Sequence, residues 1–185
     1  MKDIALILID IQQGYDDIDY WGGERNNHDA EENCKVILEH FRQLKLPIFH
    51  IQHNSNNSAS PLYFKNKGFA FKHQVTPLAG ETIIVKQVNS AFIGTDLQSV
   101  LIKKKIKNLV IVGFTTDHCV SATSKMASDF RFNTIVVSDA TASFNKIGIN
   151  GDKYDAEIIH NTALASLKDK FTSVMNTTEV LRRIL

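Results

Sequence analysis

Three residues far apart in the chain, Asp10, Lys86 and Cys119, are of the types from which a nucleophilic site is assembled. A thiol with an ordinary pKa of about 8.5 is mostly protonated at neutral pH, and a helix N-terminus or a nearby cation lowers that value. Cys119 is offered both. It opens the helical pattern Cys119, Ala122, Thr123, Met126, Phe130, whose free amides would face its sulfur, and Lys86 would supply the charge. Asp10 is then the candidate general base: it takes the thiol proton on attack and returns it to a leaving amine, with a pKa raised by burial. Covalent catalysis needs this set of nucleophile, base and oxyanion donors. Singly, each residue has a plainer reading: a lone cysteine on a helix is usually packing, as Cys34 is in its own apolar stripe, an aspartate closing a strand is often a cap, and a lysine is often surface.

What joins the three is the order of the elements that carry them. Apolar runs rich in β-branched residues recur at Ile4 to Asp10, Pro47 to Gln52, Thr82 to Lys86, Asn108 to Gly113 and Thr134 to Asp139, with a weaker sixth at Phe171 to Met175. Most are too apolar for alternation, as strands covered on both faces are. Helical patterns lie between them: Ala30 to Leu44, Leu97 to Leu101 behind a Thr95 cap, Val120 to Phe130, Ala156 to Leu167, and a short one at the C-terminal end. The alternation predicts right-handed crossovers and one α/β domain over residues 1–185, with a mostly parallel sheet of about six strands between helices. In such sheets ligands bind beyond the carboxyl ends of the strands. Asp10 ends the first strand, Lys86 the third, and the fourth runs through Gly113 into the turn bearing Cys119, so all three are expected at one rim. The segment Asn54 to Gly80 shows no period, and so long a connection is usually a lid or substrate wall.

Composition removes several classes. Lys and Arg total 21 against 20 for Asp and Glu, which leaves no basic excess for a nucleic-acid backbone or an acidic membrane face; "KKKIK" at Lys103 to Lys107 reads as the wet end of a helix. No apolar run is long enough to cross a bilayer, and "MKDIALILID" is read as a strand rather than a signal peptide. Two cysteines without a signal suit a reducing cytoplasm.

The ordered motifs "LILIDIQQGY", "GETIIVKQVNSAFIGTDL", "VIVGFTTDHCVSATSKMA" and "VVSDATASF" resemble those of the isochorismatase-like cysteine hydrolases, a family that includes nicotinamidases and N-carbamoylsarcosine amidases. The likeness extends over nearly the whole chain, including "YWGGERNN" and "DAEIIHNTALASL". It implies a three-layer αβα fold with strand order 3-2-1-4-5-6 and a catalytic triad of Asp10, Lys86 and Cys119. It also implies a thioester intermediate, and a cis peptide between Phe114 and Thr115 that turns the Thr115 amide toward the same oxyanion as the Cys119 amide. Homodimers or homotetramers are the assemblies it suggests.

The chain departs from relatives in ways that bear on chemistry. Isochorismatases proper, which cleave a vinyl ether, lack this cysteine, so Cys119 argues for hydrolysis of a C–N bond. Nicotinamidases carry an Asp-x-His metal motif after the second strand, where this chain has "IQHNSN". The Asp is missing, and His50 and His53, three apart on a strand, should face opposite sides. No metal and no cofactor are expected. Arg131 stands where a glycine usually ends the helix, which requires either a left-handed arginine or a different helix end.

Position suggests Gln12, Tyr15, Trp21, Arg25, His53, Phe92, Thr116 and His118 as residues lining a small-molecule pocket. Phe92 reads equally as core, and Trp21 and Arg25 could instead meet another subunit. His118 is a weaker base candidate than Asp10, since neighbours on a helix diverge by about 100°. The expected function is hydrolysis of a small amide, ureide or carbamoyl compound. The alternatives are a non-catalytic member of the fold that binds a metabolite or a protein, and a thiol redox sensor, for which no partner cysteine lies nearby in the sequence.

Overall fold

The computed structural model describes residues 3–184. Six strands, β1 (Ile4–Ile9), β2 (Ile48–His53), β3 (Thr82–Lys86), β4 (Asn108–Phe114), β5 (Asn133–Ala142) and β6 (Ser173–Met175), form one parallel sheet in the order β3-β2-β1-β4-β5-β6. The helices are α1 (Ile18–Trp21), α2 (Ala30–Gln43), α3 (Leu97–Lys103), α4 (Ser121–Asp129), α5 (Ala156–Leu167) and α6 (Thr177–Arg183). A small antiparallel ribbon pairs Lys146–Ile147 with Lys153–Tyr154. No helix among the described residues is long and apolar enough to cross a membrane.

Each face of the sheet has its own core. Leu6, Leu8, Val110 and Val112 pack with Cys34, Ile37, Leu38 and Phe41 of α2 and with Val180 of α6. Ile7, Ile9, Phe49, Ile51 and Ile84 pack with Leu97 and Leu101 of α3, Ala127 of α4 and Leu164 of α5. Both faces of β1 are thus covered, and all six of its residues are buried. Each large side chain so enclosed contributes about 1.5–3 kcal/mol. At the edge of the sheet only one face of β3 is covered: Ile84 and Lys86 are buried while Ile83 and Val85 are exposed.

Several element ends differ from expectation. The sixth strand begins at Ser173, because Phe171 turns in to pack on the α5 side. The N-cap of α3 is Asp96; Thr95 stands one residue earlier, accepts from the Leu97 amide at 3.4 Å and donates to the Ala91 carbonyl at 2.6 Å. At the end of α4, by contrast, one of the two expected endings is found: Arg131 is left-handed, with φ 68°, its amide donating to Ser128 O and that of Phe132 to Ala127 O. This is a Schellman end, closed by an arginine where glycine would carry no steric penalty.

The stretch between β2 and β3 is a packed wall. Leu62 and Val75 are buried in the α2-side core, and the Phe69 carbonyl accepts from both Gln12 Nε2 and Gln52 Nε2 at 2.8 Å. Two strand ends therefore hold this wall by side-chain amides.

Candidate active site

Strand register sets the rim. His53 pairs with Lys86 across β2 and β3, and Ile9 pairs with Gly113 across β1 and β4. Three groups of the rim lie on the α3 side, since His53 follows Phe49 and Ile51, Lys86 follows Ile84, and Cys119 belongs to that core. Strict alternation would send Asp10 the other way, with Leu6 and Leu8. Its left-handed backbone, φ 52°, takes it off that period, and its carboxylate meets the lysine. Gly113 permits the close approach of β1 and β4: its φ is 118°, and a Cβ there would stand 2.0 Å from Ile9 O.

Lys86 is the centre of the cluster. Its Nζ lies 2.6 Å from Asp10 Oδ2, 2.9 Å from His53 Nδ1 and 3.3 Å from Cys119 Sγ. Asp10 and Lys86 are sealed from water, and Cys119 is 5% exposed. Asp10 Oδ1, buried too, has no hydrogen-bond partner among the described residues. Exposed Asn89, three residues after Lys86, brings Oδ1 to 3.9 Å from the sulfur. Only its place in the "QVNSAF" turn after β3 could have singled it out from sequence.

Cys119 does not open an α-helix. It sits in a wide π turn, Thr116–Val120, that precedes α4, and the Thr115 carbonyl accepts from the His118 and Val120 amides on either side of it. The Phe114–Thr115 peptide is cis. Beneath this turn, Thr116 Oγ1 meets His160 Nδ1 at 2.8 Å and Ser121 Oγ donates to the Thr116 carbonyl at 2.7 Å. His160, 150 residues along the chain from Asp10, lies in "DAEIIHNTALASL", where nothing local marks it for this support.

Charge around the sulfur differs from the sequence expectation. Burial first, then the Asp10 charge, pushes the Cys119 thiol well up, and Lys86 offsets them only in part. The thiol therefore rests protonated, not as an activated thiolate, because the carboxylate lies nearby and water is excluded. Burial also acts to lower the Lys86 pKa, but the Asp10 charge and the hydrogen bonds to Asp10 and Cys119 raise it overall, so it stays an ammonium. Burial, then the Lys86 charge, holds His53 below the usual histidine value.

The other expected pocket residues divide by what they touch. Gln12 is fully buried and clips two strand ends together, with Nε2 on the His53 carbonyl at 3.1 Å and Oε1 accepting the His53 amide at 2.8 Å. Tyr15 stacks on Trp21 at 4.6 Å and meets the Phe114 ring edge-on at 5.5 Å. Its phenol is driven up by burial first and then by the nearby Asp10 and Asp117 charges, and so is neutral. Trp21 Nε1 donates to Gly14 O. Arg25 forks onto Glu31 at 2.6 and 2.8 Å and lies 5.0 Å from the centre of the Phe114 ring. It thereby braces Phe114, the first residue of the cis peptide that leads into the cysteine turn. Phe92 packs between Phe130 and Phe132 in the α3-side core. Thr116 is wholly buried, and His118 is half exposed beside Asp117 and Lys146. Of the eight, His53 alone is hydrogen-bonded to Lys86 among the described residues.

His50 and His53 do face apart. His50 Nε2 meets Glu81 at 2.8 Å, away from the lysine. A different trio, Asp10, His53 and Cys119, brings possible metal-ligand atoms within 4.8 Å of one another. The Lys86 ammonium already stands among them, hydrogen-bonded to each, so the cluster as built holds an organic cation.

Known proteins share this arrangement of elements. The Isochorismatase domain model matches residues 4–179. The isochorismatase-family protein YrdC of Bacillus subtilis is 45% identical over 177 residues, covering 96% of this chain and 94% of its own. The maleamate amidohydrolase of Pseudomonas putida is 28% identical over 115 residues, 62% of this chain and 49% of that protein. A crystal structure of an isochorismatase-family hydrolase from Chromobacterium violaceum superposes with a TM-score of 0.95 at 36% identity, over 100% of this chain and 94% of that one. With its six-stranded sheet and a family match that runs from β1 into α6, the chain belongs to the isochorismatase family of hydrolases.

Proposed function

We propose that the chain hydrolyses a C–N bond of a small amide, ureide or carbamoyl compound through a thioester on Cys119. The observation that carries this is the buried Lys86 ammonium, bonded at once to Asp10 Oδ2 and Cys119 Sγ. It holds base and nucleophile in one water-poor cluster and leaves Asp10 Oδ1 free to take a proton.

The steps follow from that inventory. Sγ attacks the carbonyl carbon while its proton passes to Asp10 Oδ1, and the carbonyl oxygen becomes an oxyanion held by the Thr115 and Cys119 amides. The tetrahedral adduct collapses, the C–N bond breaks, and Asp10 returns the proton to the departing amine. Water, deprotonated by Asp10, then attacks the thioester and releases the acid and the thiol. A resting thiol suits this order, since the proton delivered to the leaving group is the one taken from sulfur.

Two observations weigh against redox sensing. Cys34 is buried and donates to Ala140 O at 3.2 Å. It belongs to the core on the opposite face of the sheet from Cys119. The test is ammonia release from a panel of small amides that includes maleamate, using wild type, Cys119→Ala and Cys34→Ala. Release lost only in Cys119→Ala is expected. Release that persists in Cys119→Ala refutes the proposal, and a panel with no turnover favours a binding role.

A further inference from the structure

An ammonium offers three hydrogens and no lone pair. All three of those of Lys86 are assigned: to Asp10 Oδ2, to Cys119 Sγ and to His53 Nδ1. At 2.9 Å, a protonated Nδ1 would set one N–H against another. Nδ1 must accept. The groups facing this ring are Lys86 from β3, Asp10 from the end of β1 and Cys119 from the π turn, and burial with the Lys86 charge keeps the ring neutral. A neutral imidazole that accepts at Nδ1 carries its hydrogen on Nε2. That nitrogen bonds no protein atom among the described residues and is not sealed from solvent. The backbone beneath is fixed, because Gln12 bonds both the amide and the carbonyl of His53.

We propose that His53 is a positioning residue for Lys86 and, through Nε2–H, a donor to an acceptor oxygen of the bound substrate. The ring takes the third ammonium hydrogen, so the other two stay aimed at base and nucleophile. Its own hydrogen is left for the ligand. Only the donor half depends on Cys119 being the nucleophile of an acyl transfer; the tautomer does not.

Two measurements decide the matter. In the intact protein labelled with nitrogen-15 histidine, the His53 signals should be those of the neutral Nε2–H tautomer and stay neutral to lower pH than an ordinary histidine. Lys86→Met should shift the protonation of His53 to higher pH. An Nδ1–H tautomer, or an imidazolium at neutral pH, overturns the positioning role.

The second measurement is the saturation kinetics of Cys119 alkylation by iodoacetamide, itself a primary amide, in His53→Asn and His53→Gln. Asn places an acceptor near the Nδ1 position, and Gln places a donor near the Nε2 position. His53→Asn should keep the maximal rate and weaken saturation by about three- to tenfold, the worth of one hydrogen bond. His53→Gln should keep saturation and lower the maximal rate. Identical behaviour of the two variants, each shown to be folded by its unfolding curve, overturns the donor role. A chain that hydrolysed no amide would leave the tautomer result intact, so the two readings fail separately.

Discussion

Asp10→Asn should make Cys119 more reactive toward an alkylating agent while it destroys amide hydrolysis. In the wild-type protein the thiol is held protonated by burial and by the carboxylate, against the pull of Lys86. The substitution keeps the shape and removes the charge. Asp10 brings an oxygen within 4.8 Å of the sulfur, and two unit charges at that separation repel by about 3.5 kcal/mol at an effective dielectric near 20. That is a factor of several hundred in the thiol–thiolate equilibrium. A less basic thiolate is also a weaker nucleophile, with a Brønsted slope of about 0.4–0.5, so the net gain in alkylation is roughly twenty- to thirtyfold. Hydrolysis should fall by about a hundredfold or more, because no group remains to carry the proton to the amine. The assay pairs the ultraviolet absorbance of the thiolate with peptide-resolved iodoacetamide labelling, using Cys34 as the buried internal control. An unchanged thiolate fraction in Asp10→Asn would falsify the claim that the carboxylate holds the proton on sulfur.

Two further substitutions test the frame. Gly113→Ala should cost about 4 kcal/mol or more, read as a lower urea midpoint, because the new methyl would stand 2.0 Å from Ile9 O in a strand that cannot move aside; a loss under about 1 kcal/mol would contradict the observed closeness of β1 and β4. Glu81 sits at about 2, for although burial raises it, Arg42, the Leu78 amide and His50 lower it further. Its contribution to stability is therefore full above the unfolded carboxylate range and is lost as pH falls from about 4.5 toward 2. Glu81→Gln should flatten the stability profile across that window, and parallel profiles for variant and wild type would remove Glu81 as the cause.

The apolar runs make the sheet and its rim legible, because a strand covered on both faces can be little other than hydrophobic. Asp10, Lys86 and Cys119 can thus be placed at one edge from their positions at the ends of such runs. Side-chain direction is far less legible. Gln12 and Arg25 are polar residues near the rim, yet both spend their polar atoms on the scaffold, one as a clip between strand ends and the other on Glu31 beneath Phe114. The direction of Asp10 depends on one left-handed residue, which alternation cannot foresee. The protonation of Cys119 depends on burial and the Asp10 charge outweighing the Lys86 ammonium, a balance that no spacing in the sequence encodes. His160 and Asn89 reach the turn and the sulfur from distant parts of the chain, and although both stand in family-like stretches, no spacing within those stretches singles them out.

The pairing of β2 with β3 has a consequence for how the chain acquires chemistry at all. Alternate residues of β3 point to opposite faces, and a slip of one position would turn Lys86 and Ile84 out to the exposed side and bring Ile83 and Val85 in toward the cluster. There is no partly formed version of this site: His53, Asp10 and the sulfur find their cation only when three parallel pairings, each between strands distant in sequence, have closed in the same frame. Lys86 thus acts as a proofreader of the sheet. A misregistered chain would carry the same residues, pack nearly as much apolar surface, and be chemically silent.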